Sequence, residues 1–283
     1  MQPTFVFVHG TFSNSFAWSP LQRELALRGH RTLAVDLPGH GFDAAFWAAY
    51  QAPQDPAALA TAPARVAGVT VADNAAHVVA AVRRVAEHGP VVLVGHSGGG
   101  LTIGQVAAAV PELVSRLVYI SAWCPVAASV AEYHSSSEYA TSKLNETAAL
   151  LAGDPAALGV IRLNWRTADP VLLATLKEAL CPEATDAEFL GYLNTLEPDE
   201  SLALSADTSR VDPAVLARLP HSYIRLTRDR SIPLVLQDRL IEEADARVPE
   251  NPFDVHSLDS GHAGFLIRPA EAAALLDRLA PRG

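Results

Sequence analysis

Six short apolar runs, each followed by a longer stretch of different periodicity, constrain this chain more than any other feature. The runs are residues 4–8, 31–36, 90–94, 116–121, 222–226 and 253–258. Each is rich in Val, Ile, Leu or aromatic residues, and most stop near Gly, Pro, Asp or Ser, the pattern of strands buried in a parallel sheet. Between them, residues 18–28, 71–87, 101–110, 233–244 and 269–279 have helical character. Pro20, Pro233 and Pro269 sit near helix starts, where a missing N–H is harmless. Such alternation predicts an α/β fold: a mainly parallel six-stranded sheet with right-handed crossovers and helices on both faces. A hydrophobic fraction of 49% against 18% charged residues is enough for the core this requires.

The alternation lapses twice. Residues 42–70 are rich in Ala and Pro and contain Phe46, Trp47 and Tyr50. Residues 125–215 hold no comparably strong strand signal. They contain amphipathic pieces at 171–180 and 187–196, punctuated by Asp154-Pro155, Asp169-Pro170, Cys181-Pro182 and Glu197-Pro198. A structureless loop of that length is improbable in a compact domain. The expected division is therefore core at 1–124, a helical cap insertion at 125–215, and the rest of the core at 216–283.

The run at 90–94 ends in Gly95-His96-Ser97-Gly98-Gly99. This fits G-x-S-x-G, in which a serine makes a strained strand-to-helix turn that only small neighbours permit. Its hydroxyl then stands at the C-terminal edge of the sheet, beside the N-terminal amides of the following helix. Five residues are a weak match alone, but a strand precedes them and a helix follows. A serine nucleophile needs a base, and the base needs an orienting acid. His262, in Asp259-Ser260-Gly261-His262-Ala263-Gly264, follows the last strand candidate and can reach back over the sheet edge. Asp229, in Thr227-Arg228-Asp229-Arg230-Ser231, follows the penultimate strand, where the acid is expected. Asp254 and Asp259 are nearer His262 in sequence, which does not place a carboxylate against the ring. The oxyanion of such a reaction needs backbone donors. The candidates are the N–H of Gly98 and that of Thr11, in His9-Gly10-Thr11-Phe12 after the first strand.

With these residues in place, the chain resembles the α/β-hydrolase superfamily, and within it the compact branch of plant methylesterases and hydroxynitrile lyases. The stretches FVFVHGTFSNSFAWSPLQRELALRGHRTLAVDLPGHG, VVLVGHSGGG, YIRLTRDRSIP and DSGHAGFLIRP carry the resemblance. It implies the six-stranded sheet of this branch, without two further strands ahead of it. There are departures. Lyases of the branch place a lysine after the histidine, where this chain has Ala263. Dehalogenase-like relatives use aspartate at the position of Ser97. Cofactor-free haloperoxidases often have methionine where this chain has Gly98.

Other residues have plainer readings. His9 and His40 are expected to serve turn hydrogen bonds, and His96 to pack beneath the elbow. Ser135-Ser136-Ser137 reads as an exposed loop and Trp18 as core. Phe12 and Trp123 follow strand ends on the functional edge and are expected to line a substrate pocket. Tyr133, Tyr139 and Trp165 fit either a pocket or packing. Cys124 stands where some relatives put their acid, a role a thiol cannot take.

Lys plus Arg total 21 and Asp plus Glu 31, a formal charge of −10, which argues against a nucleic-acid surface. Two cysteines, Cys124 and Cys181, make neither a disulfide scaffold nor a metal cluster, and a reducing cytoplasm is the simplest compartment. No signal peptide and no membrane-length apolar run is read. The expectation is a serine hydrolase of a hydrophobic small-molecule carboxylic ester, with lactones and thioesters open to the same chemistry, working through an acyl-enzyme. No cofactor or metal is implied. A non-hydrolytic lyase and a ligand-binding protein with a vestigial triad are the alternatives.

Overall fold

The computed structural model describes residues 3–281. Its strands are β1 Thr4–Val8, β2 Arg31–Val35, β3 Val91–Ser97, β4 Val114–Ala122, β5 Val160–Arg162, β6 Asp199–Ser201, β7 His221–Leu226 and β8 Asp254–Leu258. Six form one sheet in the order β2-β1-β3-β4-β7-β8, every pairing parallel. The chain leaves β1 toward β2 on one side and returns through β3 on the other. The C-terminal ends of β1 and β3 therefore flank the point where winding reverses, the place where open α/β sheets form a crevice.

Side-chain alternation along the central strands builds two cores. Val6 and Val8 of β1, with Leu93, Leu117 and Tyr119, pack against helices Val71–Ala86, Gly99–Ala109 and Leu234–Arg247. Phe5 and Phe7, with Val92, Val94, Val118 and Ile120, face the opposite way, onto Trp18 and helices Ser19–Leu27 and Ala270–Leu279. Each fully buried side chain of this size contributes roughly 1.5–3 kcal/mol. Not every predicted strand is buried. β2 and β8 are the sheet edges, and Leu33 and Val255 are 36% and 39% exposed. An apolar run alone does not distinguish an edge from a centre, because edge status depends on which strands pair.

The segment 125–215 is not purely helical. It contains helices Pro170–Leu180 and Asp186–Leu193, several shorter turns, and an antiparallel ribbon of β5 with β6. Leu150, Trp165, Leu176, Leu180, Phe189 and Leu193 form a separate apolar cluster within it. The ribbon escapes sequence reading because it is held by a buried ion pair rather than an apolar pattern. Arg162 reaches Asp199 through two hydrogen bonds of 2.6 and 2.8 Å. Its Nη1 donates to the carbonyls of Leu59 and Ala62, and its guanidinium lies 4.0 Å from the Trp47 ring centre. The Ala- and Pro-rich stretch 42–70 thus lies against the ribbon.

Candidate active site

β3 runs directly into the helix Gly99–Ala109, and Ser97 at the junction takes a left-handed backbone with φ of +53°. Residues other than glycine adopt this region at a cost, so the surroundings must hold it. They do so by close approach. A Cβ on Gly10 would lie 2.7 Å from Ser97 Cβ, so only glycine lets the loop after β1 meet the elbow. A Cβ on Gly98 would lie 3.3 Å from the Thr11 nitrogen, so the backbones of Gly98 and Thr11 are neighbours beside Ser97.

His262 and Asp229 meet on the loops after β8 and β7, with Nδ1 of the ring 2.6 Å from Asp229 Oδ2. A carboxylate at Nδ1 keeps the proton there and leaves Nε2 as the free basic nitrogen. Four donors surround this carboxylate. Ser231 and Ile232 N–H groups donate to Oδ1 at 2.7 and 2.9 Å, and Ser121 Oγ donates to Oδ2 at 2.6 Å. Ser121 reaches it because β4 bulges: His96 pairs with Ile120 and Ser97 with Ala122, leaving Ser121 out of register with φ of +35°. The Thr227 and Arg228 N–H groups donate to the Leu258 and Ser260 carbonyls, tying the two loops together. Asp259 pairs instead with Arg228 at 2.7 Å, and Asp254 lies near Arg116 and His256.

Ser97, His262, Thr11, Gly98, Phe12 and Trp123 all line one cavity of about 290 Å³, near the lower end of small-molecule sites. Among the described residues no hydrogen bond joins Ser97 Oγ to His262. Such bonds are often long without substrate and tighten when it binds. The cavity walls are mostly apolar, with Leu37, Val71, Leu101, Leu180 and Leu196 among them. Phe12 meets Trp165 edge-on, with ring centres 5.3 Å apart. Tyr139 and Trp165 also line the cavity, whereas Tyr133 lies behind Trp123 and donates its hydroxyl to Glu243. Trp18 is core, stacked on Phe7 at 4.7 Å.

The histidines separate by environment. His9 Nε2 accepts from Leu37 N–H at 3.1 Å, which puts the proton on Nδ1, facing the Gly10 carbonyl at 2.8 Å. Burial, then the neighbouring His40, lowers its pKa to about 3, so it stays neutral. His96 lies under the elbow with its ring 4.4 Å from that of His262, and burial drives its pKa well below the ordinary value. His40 does more than the expected turn bond to Pro38, because its Nε2 lies 3.4 Å from buried Glu200 Oε2. Burial pushes the Cys124 thiol up to about 12, which makes it inert. Ser135 and Ser137 are exposed. Sequence reading missed Ser121 and Glu200, which have no motif around them. Among the described residues no group of three or more His, Cys, Asp or Glu could hold a metal ion, and no helix is long and apolar enough to cross a membrane.

Comparison with known proteins agrees with this architecture. The model of the alpha/beta hydrolase family matches residues 5–275. Methylesterase 10 of Arabidopsis thaliana is 30% identical over 127 residues, 43% of this chain and 38% of that protein. Alpha-hydroxynitrile lyase of Arabidopsis thaliana is 28% identical over 122 residues, 43% of this chain and 40% of that protein. The matched stretches thus span about two fifths of these relatives. Among solved structures, an extracellular alpha/beta-hydrolase from a Paenibacillus species shares the fold, with a TM-score of 0.72 at 20% identity, covering 99% of this chain and 100% of that one.

Proposed function

The chain belongs to the alpha/beta hydrolase family, and from that premise we propose that it is a serine esterase acting through a Ser97-His262-Asp229 triad on a small apolar carboxylic ester. The carrying observation is the His262–Asp229 pair at 2.6 Å, opening onto the same small cavity as a serine in a left-handed elbow. Ser97 Oγ attacks the ester carbonyl while His262 Nε2 takes its proton. Asp229 keeps the Nδ1 proton in place and stabilises the imidazolium. The Thr11 and Gly98 amides receive the oxyanion. His262 then protonates the departing alcohol and activates water, which releases the acid from the acyl-enzyme. Phe12 and Trp123 contact the substrate, and residues 125–215 act as the cap that sets its size.

Lactones and thioesters fit the same chemistry. A cyanohydrin lyase reading is disfavoured because among the described residues the cavity lining contains neither Lys nor Arg to stabilise departing cyanide, and Ala263, after the histidine, is fully buried. The test is turnover of short p-nitrophenyl esters by the wild type and Ser97→Ala. The expected result is a loss of kcat by at least about a thousandfold. Retained turnover in the variant sinks the proposal.

A further inference from the structure

The loop proposed to receive the oxyanion is held from above by the cap segment. Phe12 N–H donates to Glu200 Oε2 at 3.0 Å, and the Phe12 carbonyl accepts from Glu197 N–H at 2.8 Å. Both the N–H and the carbonyl of one residue are thus fixed by residues 197–200, the stretch that leads into β6. Phe12 needs such support, because its backbone is left-handed with φ of +58°. The peptide that ends in the Phe12 N–H begins at Thr11, whose own amide is the proposed oxyanion donor.

Glu200 is suited to this task by charge. Its side chain is almost completely buried, and its second oxygen accepts from Ser201 N–H at 3.0 Å. Opposite Oε2 lies His40 Nε2 at 3.4 Å, an ion-pair distance, while His40 Nδ1 faces the Pro38 carbonyl at 3.3 Å. Both ring nitrogens thus lie near oxygens, and the Glu200 carboxylate at ion-pair distance favours the imidazolium form. The other ionisable groups around His40 are His9, with ring centres 4.9 Å apart, and Glu197. The carboxylate thus receives two backbone amides and one cation. The two amides go to different oxygens, so a glutamine would place its NH2 donor against one of them and would also lose the charge that faces His40.

We infer that Glu200 is a positioning residue for the ester hydrolysis proposed above: with His40 as its counter-charge, it locks the Thr11–Phe12 peptide so that the Thr11 N–H is aimed beside Ser97. The inference rests on that reading of the reaction. It makes seating of the cap and alignment of the oxyanion donors one event. A misdirected donor costs stabilisation of the transition state but not of the bound ester, so the loss falls on kcat.

The experiment compares the wild type, Ser97→Ala and Glu200→Gln on p-nitrophenyl butyrate, with thermal melting to establish folding. Glu200→Gln is expected to lower kcat by about 10- to 100-fold, the scale of a misplaced oxyanion donor, with KM within about threefold. A folded Glu200→Gln with unchanged kcat overturns the inference, as does a rise in KM at constant kcat, which marks a substrate contact instead. Full turnover in Ser97→Ala identifies failure of the esterase reading itself. Hydrogen–deuterium exchange of the wild type stays decisive if the variant unfolds. A slowly exchanging Phe12 amide supports the lock, and rapid exchange there overturns it.

Discussion

Ser121 donates its hydroxyl to Asp229 Oδ2 at 2.6 Å, the same oxygen that lies 2.6 Å from His262 Nδ1. One carboxylate oxygen thus serves both the ring and the bulged strand beside the elbow. Ser121→Ala removes one of four donors without opening a large cavity. A hydrogen bond to a charged group is worth about 1.5–3 kcal/mol. If half of that reaches the transition state, kcat falls roughly 3- to 10-fold with KM unchanged. Steady-state kinetics on a short ester decides it, and an unaltered kcat means the bond only stabilises the fold.

Gly10→Ala tests the contact between the loop after β1 and the elbow. The added methyl would lie 2.7 Å from Ser97 Cβ and 3.2 Å from its Oγ. Overpacking of this kind costs about 1–3 kcal/mol, and here the strain falls on Ser97. The expected outcome is a folded protein with a small drop in melting temperature and kcat reduced by about a hundredfold or more. Activity near that of the wild type would mean that the two segments separate freely.

His40 gives a signed pH dependence. Burial lowers its pKa, but the neighbouring Glu200 carboxylate raises it from 6.5 to about 9 in net. A raised histidine pKa adds stability that is complete below 6.5 and is lost as pH climbs through about 9. The contribution is on the order of 3 kcal/mol. Glu197, pushed up to about 7 by burial, and His9, lowered to about 3, titrate in the same cluster. Subtracting a variant isolates His40. The melting-temperature gap between wild type and His40→Gln is widest near pH ~6 and narrows above pH ~9. A gap independent of pH contradicts the assignment of charge to His40.

Asp199→Ala leaves the Arg162 guanidinium buried without its carboxylate. Breaking a buried pair on one side costs about 3–5 kcal/mol. Denaturant unfolding is expected to show a loss of that size. The double change Arg162→Met with Asp199→Leu recovers only part of it, because it removes the buried charges but leaves the Leu59 and Ala62 carbonyls without Arg162 as donor. If the double variant is as unstable as the single one, the pair is required for more than charge balance.

Trp123 bounds the cavity and packs beside His134 and Tyr139, with ring centres 5.1 and 6.1 Å away. Trp123→Ala enlarges the space, so kcat/KM for p-nitrophenyl octanoate rises relative to that for the butyrate by about tenfold, the scale of about two buried methylenes. An unchanged chain-length preference places the acyl group elsewhere in the cavity.

What was legible before folding is what a few consecutive residues encode. Periodicity marked the six strands to within a few residues, because side-chain alternation and turn sterics act locally. The glycines around Ser97 announced the strained turn for the same reason, and the order of loops pointed to Asp229 and His262, whose side chains meet at 2.6 Å. What folding decided involves partners far apart in the chain. Ser121 and Asp229 are 108 residues apart, and Phe12 and Glu200 are 188. No local pattern marks a serine pushed out of register by a bulge, or a glutamate that finds a histidine and a backbone amide from distant parts of the chain. The ribbon of β5 and β6 belongs with them, since Arg162 and Asp199 look like surface charges until burial makes each the other's solvent. Local sterics wrote the frame and the elbow; the electrostatics of burial, which exist only once the chain has closed on itself, assembled the supports around them.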